Sequence, residues 1–272
     1  MHLDGPVAVS GPLARAVVRQ AIRVPVPANR GRLLGSVAGH SLPRNYHIPI
    51  YGPINAAGLY TVNVLRYAIT DRSLFAVDSS DRFGALIARC VQLAQSGVDL
   101  LQVREKDLPP EKLAELSRRL LAAVRAAGGA MRVLINSRVD LALSIGADGV
   151  HLSSAPGQAS PDAIRLEYRR VGLPEPFVSV SCHSLDEARR AREMRASAVL
   201  FGPVFGKTVS GEQVVAPAGL GALRSACLEA GEMPVLALGG VTPDRVQSCL
   251  DAGAAGVAAI RMFLTGDLER IG

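Results

Sequence analysis

The most pointed chemistry in the chain lies in two short stretches. Gln102, Arg104 and Lys106 set an amide, a guanidinium and an ammonium on alternate residues at the end of an apolar run. On a strand all three project from one face, because successive side chains alternate sides. What the three have in common is a preference for an anion. Gly239 and Gly240 follow the apolar run from Pro234 to Leu238, where bare backbone N–H groups can come close to a phosphate. Together the two stretches point to a phosphorylated small molecule as substrate.

Further polar residues stand where apolar runs end: Thr70, Asn136, His151, Ser181, His183, Lys207, Thr208 and Arg261. Histidine titrates near neutral pH and suits general acid–base work. Of the five histidines, only His151 and His183 lie beyond residue 64. His183 follows an apolar run directly and is the candidate base; its plainer reading is a hydrogen-bonded rim residue. His151 reads as a residue that packs or orients its neighbours. Cys182 beside His183 suggests a thiol nucleophile, but neighbours on a strand face opposite ways, which argues against a dyad. Lys207 and Thr208, just before Ser210-Gly211, read either as a phosphate-touching lid loop or as a plain solvated loop. Arg261 adds a phosphate contact or a surface charge.

These residues need a scaffold that gathers strand ends. Apolar runs at Leu65–Ile69, Leu100–Val103, Val133–Ile135, Gly149–Leu152, Val178–Val180, Ala198–Phe201, Val235–Leu238 and Gly256–Ile260 alternate with amphipathic stretches such as Phe83–Gln95, Pro110–Ala127, Ser184–Met194 and Pro243–Ala252. Ser184-Leu185-Asp186-Glu187 has the pattern of a capping box, and Thr242-Pro243 that of a cap before a first-turn proline. Gly97, Gly146 and Gly253 read as left-handed helix ends leading into strands. The alternation predicts a single (β/α)8 TIM barrel over residues 65–272. Its active site would lie at the C-terminal ends of the strands, with a phosphate site after the seventh and eighth.

Composition agrees with one barrel plus an appendage. Nearly half of the 272 residues are apolar, yet Trp is absent and aromatics are few, which suits the branched aliphatic interior of a parallel sheet. The net charge of +6 resides mostly in residues 1–64, where six arginines face one acid, Asp4. The remainder is nearly neutral and has no nucleic-acid motif, so nucleic acid is not an expected partner. Residues 1–64 lack a sustained period. They are expected to be a non-barrel extension, disordered or added by a reading frame opened too far upstream, although the basic stretch Leu13–Val24 also fits a targeting peptide. The four cysteines are dispersed and read as reduced thiols. No apolar run reaches membrane length. A cytoplasmic protein that does not bind membranes, with self-association possible, is the expectation.

Read in order, Tyr67–Asp71, Gln102–Asp107, Leu134–Asp140, Gly146–Leu152, Val180–Ser184, Phe201–Phe205 and Gly239–Val241 resemble the thiamine phosphate synthase and thiazole tautomerase superfamily, across residues 65–265. A synthase of that family joins a hydroxymethylpyrimidine diphosphate to a thiazole phosphate, expels pyrophosphate and needs Mg2+. The resemblance implies that Gln102, Arg104, Lys106 and Asn136 would hold the diphosphate. Gly239, Gly240 and the backbone near Ile260 would hold the thiazole phosphate. The family's synthases follow that asparagine with an acid and carry a second acid after the Gly-Val-His strand. Here Ser137 and Ser153-Ser154-Ala155-Pro156 occupy those places, and a hydroxyl is a poor replacement for a carboxylate on magnesium. These departures, with the Ser-Cys-His-Ser-Leu run, look more like the tautomerase branch, which moves a proton within a thiazole carboxylate phosphate and requires no metal or other cofactor. By that resemblance His183 is the base. A thiazole tautomerase is therefore the leading expectation, a thiamine phosphate synthase the alternative, and a non-catalytic phosphate-ligand binder the third.

Overall fold

The computed structural model describes residues 51–54, 60–62, 64–75, 82–155, 157–209 and 212–267. The readings made for residues 1–50 lie outside them. Eight parallel strands form a closed barrel: β1 Leu65–Ile69, β2 Leu100–Val103, β3 Arg132–Asn136, β4 Gly149–Leu152, β5 Phe177–Cys182, β6 Ala198–Phe201, β7 Val235–Leu238 and β8 Gly256–Ala259. Each pairs with the next, β8 also pairs with β1, and the register runs Gly256 opposite Leu65 and Val235 opposite Val199. The expected (β/α)8 barrel is the observed fold. β5 outruns its expected end at Val180, because Ser181 and Cys182 stay in the ladder opposite Leu200 and Phe201.

Strand alternation sorts the apolar residues into two layers. Leu65, Tyr67, Leu100, Leu134, Phe177, Leu200, Leu236 and Ala258 fill the barrel. Ala68, Leu101, Val133, Val150, Val178 and Val199 face outward against the helices. Both faces of each strand are therefore buried, which explains why the runs are continuous rather than alternating.

The helices are α1 Arg82–Gln95, α2 Pro110–Ala126, α3 Val139–Ile145, α4 Pro161–Arg170, α5 Leu185–Glu193, α6 Gly219–Ala230, α7 Val246–Asp251 and α8 Arg261–Leu264. α1 and α2 bury Leu86, Cys90 and Leu93, and Leu116, Leu120 and Val124, at helical spacing. The capping box at Ser184 and Glu187 forms in both directions. Gly97, Gly146 and Gly253 take the expected positive φ. Thr242 precedes a 3-10 turn at Pro243–Arg245, but its side chain makes no cap bond.

Among the described residues, two antiparallel strand pairs lie outside the barrel. Lys207–Val209 pairs antiparallel with Glu212–Val215, so Lys207 and Thr208 stand on a short strand rather than in the expected irregular loop. The missed signal was the Ser-Gly pair in the sequence between two β-prone stretches. Tyr51–Ile54 pairs with Tyr60–Val62 inside the extension, two short strands that the lack of a longer period had hidden.

Candidate active site at the C-terminal mouth of the barrel

The inward-facing positions near the strand ends carry polar groups. Gln102 is buried and donates from Nε2 to Asn136 Oδ1 at 2.8 Å, while its own Oε1 is buried with no partner. A buried carbonyl oxygen left over in this way is an acceptor that no donor among the described residues meets. Asn136 pairs in register with His151 on the next strand. His151 sits between two hydroxyls, Ser179 Oγ at Nδ1 and Ser181 Oγ at Nε2, both at 2.9 Å. Desolvation, assisted by the nearby positive charge of Arg104, holds its pKa down to about 3. The ring is therefore neutral at physiological pH, as suits an orienting residue.

The three alternating residues of the anion reading do not share one strand. β2 ends at Val103. Arg104 follows it half-buried, its backbone N–H bonded to Thr70 Oγ1 at 2.8 Å, and Lys106 is exposed in a turn. The reason is Glu105, which sequence reading passed over. Its carboxylate is buried and accepts from the Arg72 backbone N–H and from Arg72 Nη1 at 3.1 Å. Arg72 also grips Asp107 with both terminal nitrogens. This clamp pulls the chain out of the ladder and ties the β1 and β2 ends together.

His183 stands just beyond β5. Its backbone N–H bonds the Glu187 carboxylate that completes the α5 capping box, and its Nδ1 lies 2.5 Å from the Gly202 carbonyl. A carbonyl only accepts, so Nδ1 carries a hydrogen, and in the neutral ring Nε2 is the nitrogen with the lone pair that a general base requires. A side chain at Gly202 would place Cβ 2.1 Å from the Leu238 carbonyl, so only glycine fits where β6 leans on β7. Cys182 is buried among the outer layer, and burial pushes its thiol up to about 12. It faces away from His183 as alternation predicted, and no dyad exists.

Gly239 and Gly240 both have positive φ, and Cβ atoms there would run into Pro203 and Phe205. The structure thus gives the pair a backbone reason independent of phosphate. β8 stops at Ala259, one residue short of its expected end, because Ile260 turns the chain into α8 as its N-cap, and Arg261 opens that four-residue helix with its side chain exposed. The structure brings Gln102, Asn136, Arg104, His151 and Ser181 to one mouth, with His183 at its β5–β6 edge. Lys106 and Arg261 stand at the exposed rim.

The family model described as thiamine monophosphate synthase matches residues 67–263. The chain belongs to the thiamine monophosphate synthase family. It is an enzyme, and its setting is thiamine biosynthesis. A provisionally named thiamine-phosphate synthase 2 of Aquifex aeolicus is 35% identical over 73% of this chain and 96% of its own. The thiamine-phosphate synthase of Caldanaerobacter subterraneus is 32% identical over 75% and 87%. Among solved structures, the thiamine phosphate pyrophosphorylase from Pyrococcus furiosus superposes with a TM-score of 0.60 at 25% identity, covering 76% of this chain and 91% of that one.

Synthases of this family bring magnesium into question, and the donor set here does not fit it. Magnesium takes hard oxygens in tight octahedral geometry, usually from carboxylates. Ser137 stands at the end of β3, its φ of 57° in the left-handed region and its N–H bonded to the His151 carbonyl. Asp140 is gripped by Arg138 at 2.9 and 2.6 Å. Asp71 accepts from Ser73, and Glu105 and Asp107 are held by Arg72. Among the described residues no group of three or more His, Cys, Asp or Glu side chains could hold a metal ion. None of their helices is long and apolar enough to cross a membrane.

Proposed function

We propose that the chain isomerises a thiazole carboxylate phosphate by proton transfer, with His183 as the base. The observation that carries this reading is the Nδ1 contact to the Gly202 carbonyl, which makes Nε2 the basic nitrogen of the neutral ring. Nε2 takes a proton from one carbon of the ring system and returns it at another position, giving the aromatic tautomer with no net loss of atoms. The substrate's anionic groups meet Arg104, and Gln102 Oε1 and Ser181 supply polar contacts within the mouth. Gly239, Gly240 and the backbone at Ile260 remain the proposed phosphate cradle, with Lys106, Lys207, Thr208 and Arg261 as outlying positive or polar contacts.

The synthase reading has a specific observation in its favour. The relatives are named thiamine-phosphate synthases, and Gln102, Arg104 and Asn136 remain in place for a pyrimidine diphosphate. The two readings part on metal and on His183. His183→Ala is expected to lower a metal-independent tautomerisation, followed by NMR, by about 10²- to 10⁴-fold. Magnesium-dependent formation of thiamine phosphate from the two halves, undiminished in His183→Ala, would replace the isomerase with the synthase. In that case Ser137→Asp should strengthen the response to magnesium, since aspartate tolerates the left-handed backbone found there.

A further inference from the structure

A file of polar side chains crosses the otherwise apolar barrel interior. Tyr67 Oη lies 3.0 Å from Ser179 Oγ, Ser179 Oγ lies 2.9 Å from His151 Nδ1, and His151 Nε2 lies 2.9 Å from Ser181 Oγ. Tyr67 and Ser179 are fully buried and His151 nearly so, while Ser181 is half-buried at the mouth. The proton transfer proposed above assigns no task to Tyr67 or Ser179.

The direction of these bonds follows from counting hydrogens. Tyr67 and Ser179 each carry one hydroxyl hydrogen, and neutral His151 carries one on its ring. If Ser179 donated to Tyr67, the phenolic hydrogen would be buried without an acceptor. If His151 donated from Nδ1 while Tyr67 also donated to Ser179, the Ser179 hydrogen would be stranded in the same way. One arrangement satisfies every buried donor: Tyr67 donates to Ser179, Ser179 donates to Nδ1, and Nε2–H donates to Ser181 Oγ. Burial keeps both the phenol and the imidazole uncharged, which preserves this count across the physiological range.

We propose that Ser179, acting through His151, fixes Ser181 as a hydrogen-bond donor to the substrate. Ser181 already accepts from Nε2, so its own hydrogen points away from His151 and toward the mouth. The atom it meets on the substrate must be an acceptor: a carboxylate or carbonyl oxygen, or an unprotonated ring nitrogen. A heterocycle presenting N–H at that point could reach only the second lone pair of Ser181 Oγ and would leave the hydroxyl hydrogen unmatched, so it is disfavoured there. Ser179 and His151 are positioning residues, and Ser181 determines specificity. The substrate part of this inference rests on the mouth being the reaction site; the bond order within the file does not.

The test is the tautomer of His151 in the full chain carrying 15N-labelled histidine, read at neutral pH from ring one-bond and long-range 1H–15N correlations and assigned by loss of the signal in His151→Asn. Nε2–H with Nδ1 unprotonated is the expected result. The opposite tautomer, or a charged ring, overturns the proposal. In Ser179→Ala, which takes from Nδ1 the hydrogen it accepts, KM should rise several-fold with a smaller change in kcat. An unchanged KM would remove Ser179 from the scheme. Should Ser179→Ala fail to fold, the tautomer of the unaltered chain still decides between the two bond orders. The tautomer is measured without turnover, so failure of the isomerase reading would leave this result standing.

Discussion

His151 shows how one residue in the barrel interior links site geometry to stability. Its ordinary pKa of about 6.5 applies in the unfolded chain, whereas burial beside Arg104 lowers it to about 3 in the folded one. The unfolded state therefore binds a proton that the native state refuses throughout that interval. The folded pKa is the depressed one, so this contribution is complete above about pH 6.5 and drains away as the pH falls toward 3. Urea unfolding at pH 7, 5.5 and 4.5 should show stability falling by up to about 1.4 kcal/mol per pH unit from this residue. Flat stability over the range would mean that His151 is charged or solvated in the native protein.

At the scale of elements, the rim between β1 and β2 is held by the clamp of Arg72 on Glu105 and Asp107. Arg72→Ala leaves the Glu105 carboxylate buried with only the backbone N–H of residue 72 for company. A loss of about 3 kcal/mol is expected, the low end for orphaning a buried charge because that N–H remains, and chemical denaturation measures it. The clamp also shows where sequence reading stopped. The strands were legible because burial on both faces writes continuous apolar runs, and β1, β2, β4, β6 and β7 have the expected limits. Ser184 and Glu187 announced their capping box because both halves lie within one turn. Glu105 gave no warning, since its partner Arg72 lies 33 residues away and a lone acid between Arg104 and Lys106 reads as solvated. The positions of Gln102, Asn136 and Ser181 near strand ends were legible because each follows directly on an apolar run. Tyr67 and Ser179 were not, because a polar group deep in an apolar run acquires meaning only when closure of the barrel brings β1 opposite β5.

For the whole molecule, the closed barrel needs nothing from residues before β1 to complete its ladder, since β1 already pairs with β8 and β2. Removal of residues 1–62 is expected to leave a folded, active barrel, as judged by a cooperative thermal transition and unchanged turnover. Loss of that transition would assign the extension a structural part. A different consequence follows from the clasp between the ends of β6 and β7. Val204 N–H bonds the Leu238 carbonyl and Phe205 N–H the Gly239 carbonyl, Pro203 and Phe205 fill the space that side chains at 239 and 240 would need, and Arg245 stacks on Phe205 while bonding the Gly240 carbonyl. The two connections are cut to fit each other, like the halves of a buckle. A chimera that imports one of them from a relative inherits a mismatched partner, so new specificities at this rim are best sought by exchanging both loops together.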